Sequence, residues 1–390
     1  MDFQLTEEQR MVSSAARQMG ERFGLDYWRE LDAEKQFPKA FWSAVCDAGL
    51  GGAAIPAEYG GSGLGSLELA LIIENLSAAG GGSTIGQLFM INSIFGGVSV
   101  SKFGSEKMKR ELLPKLISGE INCCMALTEP DAGSNILEAR TFAEKMAAGW
   151  LLNGQKIWIT AVTSASKMLV IARTKKLADS KGRSDGLSMF MIDVERKGLT
   201  HATIEKLGTN TLASSNVFFD NVEIREDELI GTLHGGWREL LDVLNTERIV
   251  TTAGLIGTGE LAIKLAVSYA NDRVVFGDKP ISSYQGLQFP LAQCHAEIEA
   301  ARLLNYKAAT NYDRGLPFGT EANAAKLLSA QAVAKVTERA MQTMGGMGYS
   351  KEFHVERLWR DCRLFRFAPV SEEMILNYIA THELGMPRSY

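Results

Sequence analysis

Apolar positions recur at helical spacing through roughly the first 122 residues. Thr6-Glu7-Glu8-Gln9 has the form of a capping box, and Gly24 can stop the helix that begins there. "SLELALIIENLSAAG", 66–80, predicts a strongly apolar helix. "SEKMKRELLPKLISGE", 105–120, keeps the spacing, with Pro114 predicting a break or a new first turn. From 123 to about 230 the period shortens to that of strands. "GWLLNGQKIWIT" holds Asn153-Gly154 between two β-forming runs, the strongest short-range hairpin signal. "KMLVIART", "LSMFMIDVE", "LTHATIEKLG" and "SSNVFFDNVEI" follow, rich in β-branched and aromatic residues. From about 235 long helices return, at 235–271, 283–312, 320–343 and 370–384, which suggests a bundle. The pattern predicts an α+β chain: a helical domain (1–122), a β-barrel or sandwich domain (123–232) and a C-terminal four-helix bundle (233–390).

The 390 residues are 46% apolar and 22% charged, enough for two or three cored domains. Net charge is −5 and no block of Lys or Arg appears, so composition gives no support to nucleic-acid binding. The start, "MDFQLTEEQR", has no apolar h-region, and no uninterrupted apolar run reaches membrane-spanning length. Five cysteines without a CxxC pair fit reduced thiols, and a cytoplasmic location is expected. The five histidines are scattered without metal-ligand spacing, so no metal is expected. "GTGELA", 257–262, matches a dinucleotide fingerprint in letters only. It lies inside a helical run, where small residues serve close helix packing.

One acid stands out. In "DVLNTERIVTTAG", 242–254, Glu247 falls on the apolar face with Leu240, Val243, Val250 and Gly254 when residues are placed about 100° apart. Arg248 lies round to the side, and neighbours at i,i+1 do not face each other. Glu247 is then either a structural acid paired with a distant Arg or a base kept out of water. Two further stretches remain open on their own. Gly133-Ser134 in "ALTEPDAGSN" can bring backbone N–H groups to an anion or make a plain turn. Trp158 and Thr160, two residues apart on a strand, are either a wall and a donor for a planar heterocycle or ordinary alternation.

Taken together, "ALTEPDAGSN", "QKIWIT", "LNTERIV", "NDRVVFG" and "MQTMGGMGY" resemble the acyl-CoA dehydrogenase family over essentially the whole chain. The resemblance implies FAD-dependent α,β-desaturation of an acyl-CoA to the 2-enoyl-CoA, with electrons passed to an electron-transfer flavoprotein. It implies that Leu127, Thr128, Trp158 and Thr160 hold the flavin ring, with Thr160 toward N5. Gly133 and Ser134 border the phosphates, Ser134 also the pantetheine chain, and Ser371 and Glu373 lie near FAD. Arg273, Phe276, Gln342 and Gly346 match positions that hold the FAD of a neighbouring subunit, which makes a homotetramer, a dimer of dimers, the expectation.

Family members place the base either in a "YEGT" turn before the last helix or in "LxxER". Here the turn reads "FRFAPVSEEM" and Pro369 falls at the base position, whereas Leu244-Asn245-Thr246-Glu247-Arg248 fits the second pattern. This resembles the branch that contains isovaleryl-CoA and crotonobetainyl-CoA dehydrogenases. It implies Glu247 as the base, Arg248 positioning substrate or the Glu, and Asn245 near the pantetheine. The chain departs from the family at Asn135, at Ala161 and at Pro369, whose missing N–H removes a donor to the enolate oxygen. Rival readings are a flavin oxidase or monooxygenase on the same fold, and a non-catalytic flavin- or acyl-CoA-binding protein. The apolar stretch 85–100 is a candidate acyl pocket and equally plain core.

Overall fold

A computed structural model describes residues 4–389. The N-terminal segment is helical: α1 (Glu7–Glu21), α2 (Gly24–Glu34), α3 (Lys39–Asp47), α4 (Ser66–Leu76), α5 (Ser83–Phe89), α6 (Ser99–Phe103) and α7 (Glu106–Ile117). The Thr6–Gln9 capping box forms in both directions, at 3.2 and 3.0 Å. Helix α7 does not break at Pro114. The proline lies in its last turn, and its carbonyl still accepts from Ser118 N at 3.0 Å. Between α5 and α6, Met90–Val98 is a wider π-type turn, buried except at Met90.

The middle segment is one eight-stranded sheet: β1 (Cys123–Ala126), β2 (Phe142–Met146), β3 (Gly149–Thr160), β4 (Lys167–Arg173), β5 (Leu187–Asp193), β6 (Leu199–Ile204), β7 (Ser214–Ile224) and β8 (Leu229–Ile230). Its order is β6-β7-β3-β2-β4-β5-β8, with β1 parallel to β4. The hairpin expected at Asn153-Gly154 is absent, because β3 runs straight through it. The pair forms a bulge against β7 instead. Asn153 Oδ1 accepts from Asn221 N at 2.8 Å, and a Cβ on Gly154 (φ +146°) would meet Thr141 at 2.6 Å. The actual turn lies at 147–148, before Gly149 (φ +99°).

The C-terminal segment comprises α8 (Gly236–Asp272), α9 (Gln285–Asp313), α10 (Gly319–Met344), α11 (Val355–Cys362) and α12 (Glu372–His382). The four expected bundle helices are present, and α11 is additional. A Cβ on Gly257 would meet Glu74 O at 2.2 Å and one on Gly259 would meet Ile298 at 2.6 Å, so "GTGELA" is indeed a close-packing face. Two stretches, Ser83–Phe103 and Gly236–Asp272, are long and apolar enough by mean hydropathy to cross a membrane, which counting uninterrupted runs missed. The most apolar 18-residue windows of the two are 94% and 78% buried within the protein.

Helix α11 ties the three segments together. Arg360 bonds Asp32 at 2.6 Å and Leu207 O at 3.3 Å, Asp361 accepts from Thr209 N at 2.5 Å, and Arg357 donates to Gly80 O at 2.7 Å. The three segments are thus held in a fixed relation.

Candidate active site

The loop that follows β1 is pinned from beneath. Lys156, fully buried on β3, donates to Leu127 O at 2.7 Å and to Glu129 Oε1 at 2.8 Å. Glu129 also accepts from the backbone N–H of Arg140 and Thr141 at 2.7 and 3.0 Å, and Ile157 N bonds Thr128 O at 2.9 Å. Burial pushes the Glu129 carboxyl up, but Lys156 and these amides outweigh it and hold it below its usual range. Arg173 fixes the next stretch by donating to Leu137 O at 2.6 Å and Ala139 O at 3.0 Å. Thr128 is left half-buried, Gly133, Ser134 and Asn135 are exposed, and nothing lies within 4 Å of where a Gly133 Cβ would be.

A second bulge lies in β3 between Lys156 and Ile159. Within it Trp158 takes φ +62° and remains 53% exposed, while Ile159 is buried and Thr160 half-buried. Bulges re-aim side chains, and a left-handed conformation in so large a residue is unusual. Trp158 and Thr160 therefore both leave the core side of the strand, and a flat indole face stands open beside the pinned loop.

On α8, Glu247 is 3% exposed, and among the described residues no group hydrogen-bonds its carboxylate. Burial pushes its pKa up to about 7, against the opposing pull of Arg248 and Lys326. Arg248 turns away and donates from Nη1 to Asn245 Oδ1 at 2.6 Å, and its Nε is buried without a partner. Arg248 thus fixes Asn245 and not the acid.

The late turn offers no competing base. Pro369 occupies it, with a cis bond to Ala368. Glu372 is paired with Arg366 and accepts from Gln331 at 3.3 Å; the Arg366 bond, first of several causes, lowers its pKa. Ser371 caps α12 by accepting from Met374 N at 3.3 Å, and Glu373 is exposed. Beneath the turn, fully buried Lys326 donates to Phe365 O and Val370 O, both at 2.6 Å.

The remaining predicted residues gather at the far end of the bundle, where Tyr269 and Phe353 meet edge to face at 6.0 Å. Arg273, Phe276, Gln342 and Gly346 are all exposed there; Phe276 is fully so, at φ +56°. Arg273 follows Glu247 by 26 positions along and just past α8, a rise of about 39 Å. That is farther than one FAD can bridge.

Three family models match in succession: acyl-CoA dehydrogenase N-terminal domain at residues 6–120, middle domain at 124–222 and C-terminal domain at 234–384. The chain is 35% identical to acyl-CoA dehydrogenase FadE12 of Mycobacterium tuberculosis, covering 99% of this chain and 98% of that one. It is 33% identical to glutaryl-CoA dehydrogenase of Desulfococcus multivorans over the full length of both. A solved glutaryl-CoA dehydrogenase in complex with glutaryl-CoA superimposes with a TM-score of 0.94 at 32% identity, covering 100% and 98% of the two chains.

The chain belongs to the acyl-CoA dehydrogenase family. It is an FAD-dependent oxidoreductase that desaturates an acyl-CoA thioester. These relatives carry the family and not the isovaleryl-CoA and crotonobetainyl-CoA branch. The residues present fit the cofactor: an open Trp158 face, the half-buried Thr128 and Thr160 hydroxyls, and free space at Gly133 and Gly346. Sequence reading missed Lys156, Arg173 and Lys326. Each is a cation at a buried phase of an apolar strand or helix, the same signal that singled out Glu247.

Proposed function

We propose that Glu247 removes the α-proton of the acyl-CoA. The observation that carries this reading is a buried carboxylate with no hydrogen bond on either oxygen, raised to about 7 by burial, in a chain whose late turn has Pro369 where a base could stand. A carboxylate kept from water is a stronger base than one in water, and a pKa near 7 leaves a large fraction ionised at neutral pH. The proton passes from Cα to the Glu247 oxygen, and the C–H electrons become the Cα=Cβ π bond as the β-hydrogen leaves with its own pair. Bound FAD supplies the acceptor that takes that hydrogen as hydride.

Leu127, Thr128, Trp158 and Thr160 hold the ring, Gly133 and Ser134 border the phosphates and pantetheine, and Ser371 and Glu373 lie beside FAD. Asn245, fixed by Arg248, meets the pantetheine chain, and Arg248 helps to orient the thioester. Arg273, Phe276, Gln342 and Gly346 serve a neighbouring subunit's FAD, because Glu247's own site is too far away, and the assembly is a homotetramer. Electrons leave to an electron-transfer flavoprotein in the cytoplasm. Base placement follows the isovaleryl-CoA pattern.

The acyl group is uncharged in this reading. Gly86 packs on Val250 and Gly254, a turn or two from Glu247, and Ser83–Val98 contains no ionisable side chain. It provides neither a carboxylate for a cationic tail nor a cation for a dicarboxylic one. Anaerobic titration of the FAD-loaded protein with a panel of acyl-CoAs tests this: uncharged acyl groups bleach the flavin fastest. A protein that cannot be loaded with FAD, or that is bleached by none of the panel, contradicts the reading.

A further inference from the structure

Lys326 carries an inference that rests on the reading of Glu247 as base. A lysine with no exposed surface is rare unless its ammonium is paired. Two of its three N–H donors go to carbonyls at either end of the late turn, Phe365 O and Val370 O, at 2.6 Å each. No salt bridge joins it to a carboxylate among the described residues, although α10 lies directly against α8 and α12. On the neighbouring α8, Glu247 is likewise buried, and its carboxylate carries no hydrogen bond.

We propose that Lys326 is a positioning residue of the active site, which holds the Phe365–Val370 turn in shape and supplies the buried positive charge that balances Glu247.

The charges around it can be counted. From α8 come Glu247 and Arg248; from α12 come Glu372 and Glu373, and Glu372 is taken up by Arg366 of the turn. Tyr378 of α12 acts on Arg248. Glu247 is thus the free buried anion, drawn through space by Lys326 and by Arg248, whose guanidinium is bonded to Asn245. When the proton moves from substrate to Glu247, negative charge moves from the carboxylate to the thioester oxygen, and the pocket remains positive throughout. This suits a chain in which Pro369 withholds a backbone N–H from that oxygen. Burial lowers the Lys326 pKa to about 8, which leaves it largely charged at pH 7.

The test is the pH profile of single-turnover flavin reduction in the FAD-loaded enzyme, for Lys326→Met and Lys326→Gln. Gln can still donate to a turn carbonyl but has no charge. Both variants should move the acid limb of the profile upward by about one pH unit or more, since an opposite charge nearby typically shifts a carboxylate by that much. An unmoved limb with a lower melting temperature would make Lys326 merely structural and overturn the proposal. Glu247→Gln is the control: if it still reduces flavin, the base reading itself fails, whereas a dead Glu247→Gln with unmoved Lys326 variants sinks this proposal alone. If neither Lys326 variant folds with flavin, the Glu247 carboxyl is titrated by infrared difference between the unaltered enzyme and Glu247→Gln. A midpoint near 7 supports the buried cation, and a carboxyl still protonated above about pH 9, as in an uncompensated site, contradicts it.

Discussion

Glu247 and Arg248 are adjacent in sequence, the acid buried and the guanidinium half-buried, yet they make no ion pair. The helix points them in different directions, and Arg248 spends its guanidinium on Asn245 at 2.6 Å. A carboxylate held this way is costly to ionise and available to take a proton, and the predictions follow from that pair of properties.

The first concerns stability. The folded pKa of Glu247, about 7, lies above its ordinary value of 4.5. Its contribution is therefore fully present below about pH 4.5 and is lost as pH rises through 7. Glu247→Gln removes that loss. Its melting temperature should match the unaltered protein near pH 4 and exceed it at pH 8, where the stability difference is about 3 kcal/mol at most. A Glu247 that served as half of a structural pair would give the opposite sign.

Thr160→Val keeps the shape and removes the hydroxyl. Flavin reduction should slow on the order of tenfold while acyl-CoA affinity changes little, because a donor that acts as charge develops appears in the rate. Stopped-flow reduction against ligand titration separates the two, and a wild-type rate would remove Thr160 from the ring edge.

Lys156→Met leaves Glu129 buried without its ammonium and releases Leu127 O. Breaking one side of a buried pair typically costs about 3–5 kcal/mol. Weaker FAD retention and a lower melting temperature should appear together, read by flavin fluorescence during a thermal scan. Loss of stability with full flavin retention would mean that the loop does not hold the cofactor.

Arg273→Ala changes an exposed residue about 39 Å from Glu247 along the helix. It should release FAD without unfolding the chain, and diluting the unaltered protein until it dissociates should do the same. Sedimentation with flavin absorbance checks both; a monomer that retains FAD contradicts the shared site.

Sequence made much of this legible where one pattern decides one thing. Glu247 was visible because an acid on an apolar helical face has few explanations, and β4 to β7 because their runs are rich in β-branched and aromatic residues. The Asn153-Gly154 hairpin failed because the same residues also suit a bulge, and only the Asn221 and Thr141 contacts across the sheet choose between them. The bulge that turns Trp158 outward is likewise a matter of register with β7. Lys156 and Lys326 went unread because a lysine in an amphipathic run is usually solvated, and their partners, backbone carbonyls and for Lys156 also the distant Glu129, are brought near only by the fold.

The central claim is that Glu247 is the base, and single-turnover bleaching of Glu247→Gln under anaerobic acyl-CoA tests it most directly. The variant should fold, remain yellow and bind acyl-CoA, with reduction slowed by about 10² to 10⁴ or more, while Glu372→Gln and Glu373→Gln keep turning over. Normal bleaching by Glu247→Gln, together with its loss in Glu372→Gln or Glu373→Gln, would contradict the account and move the base to the start of α12.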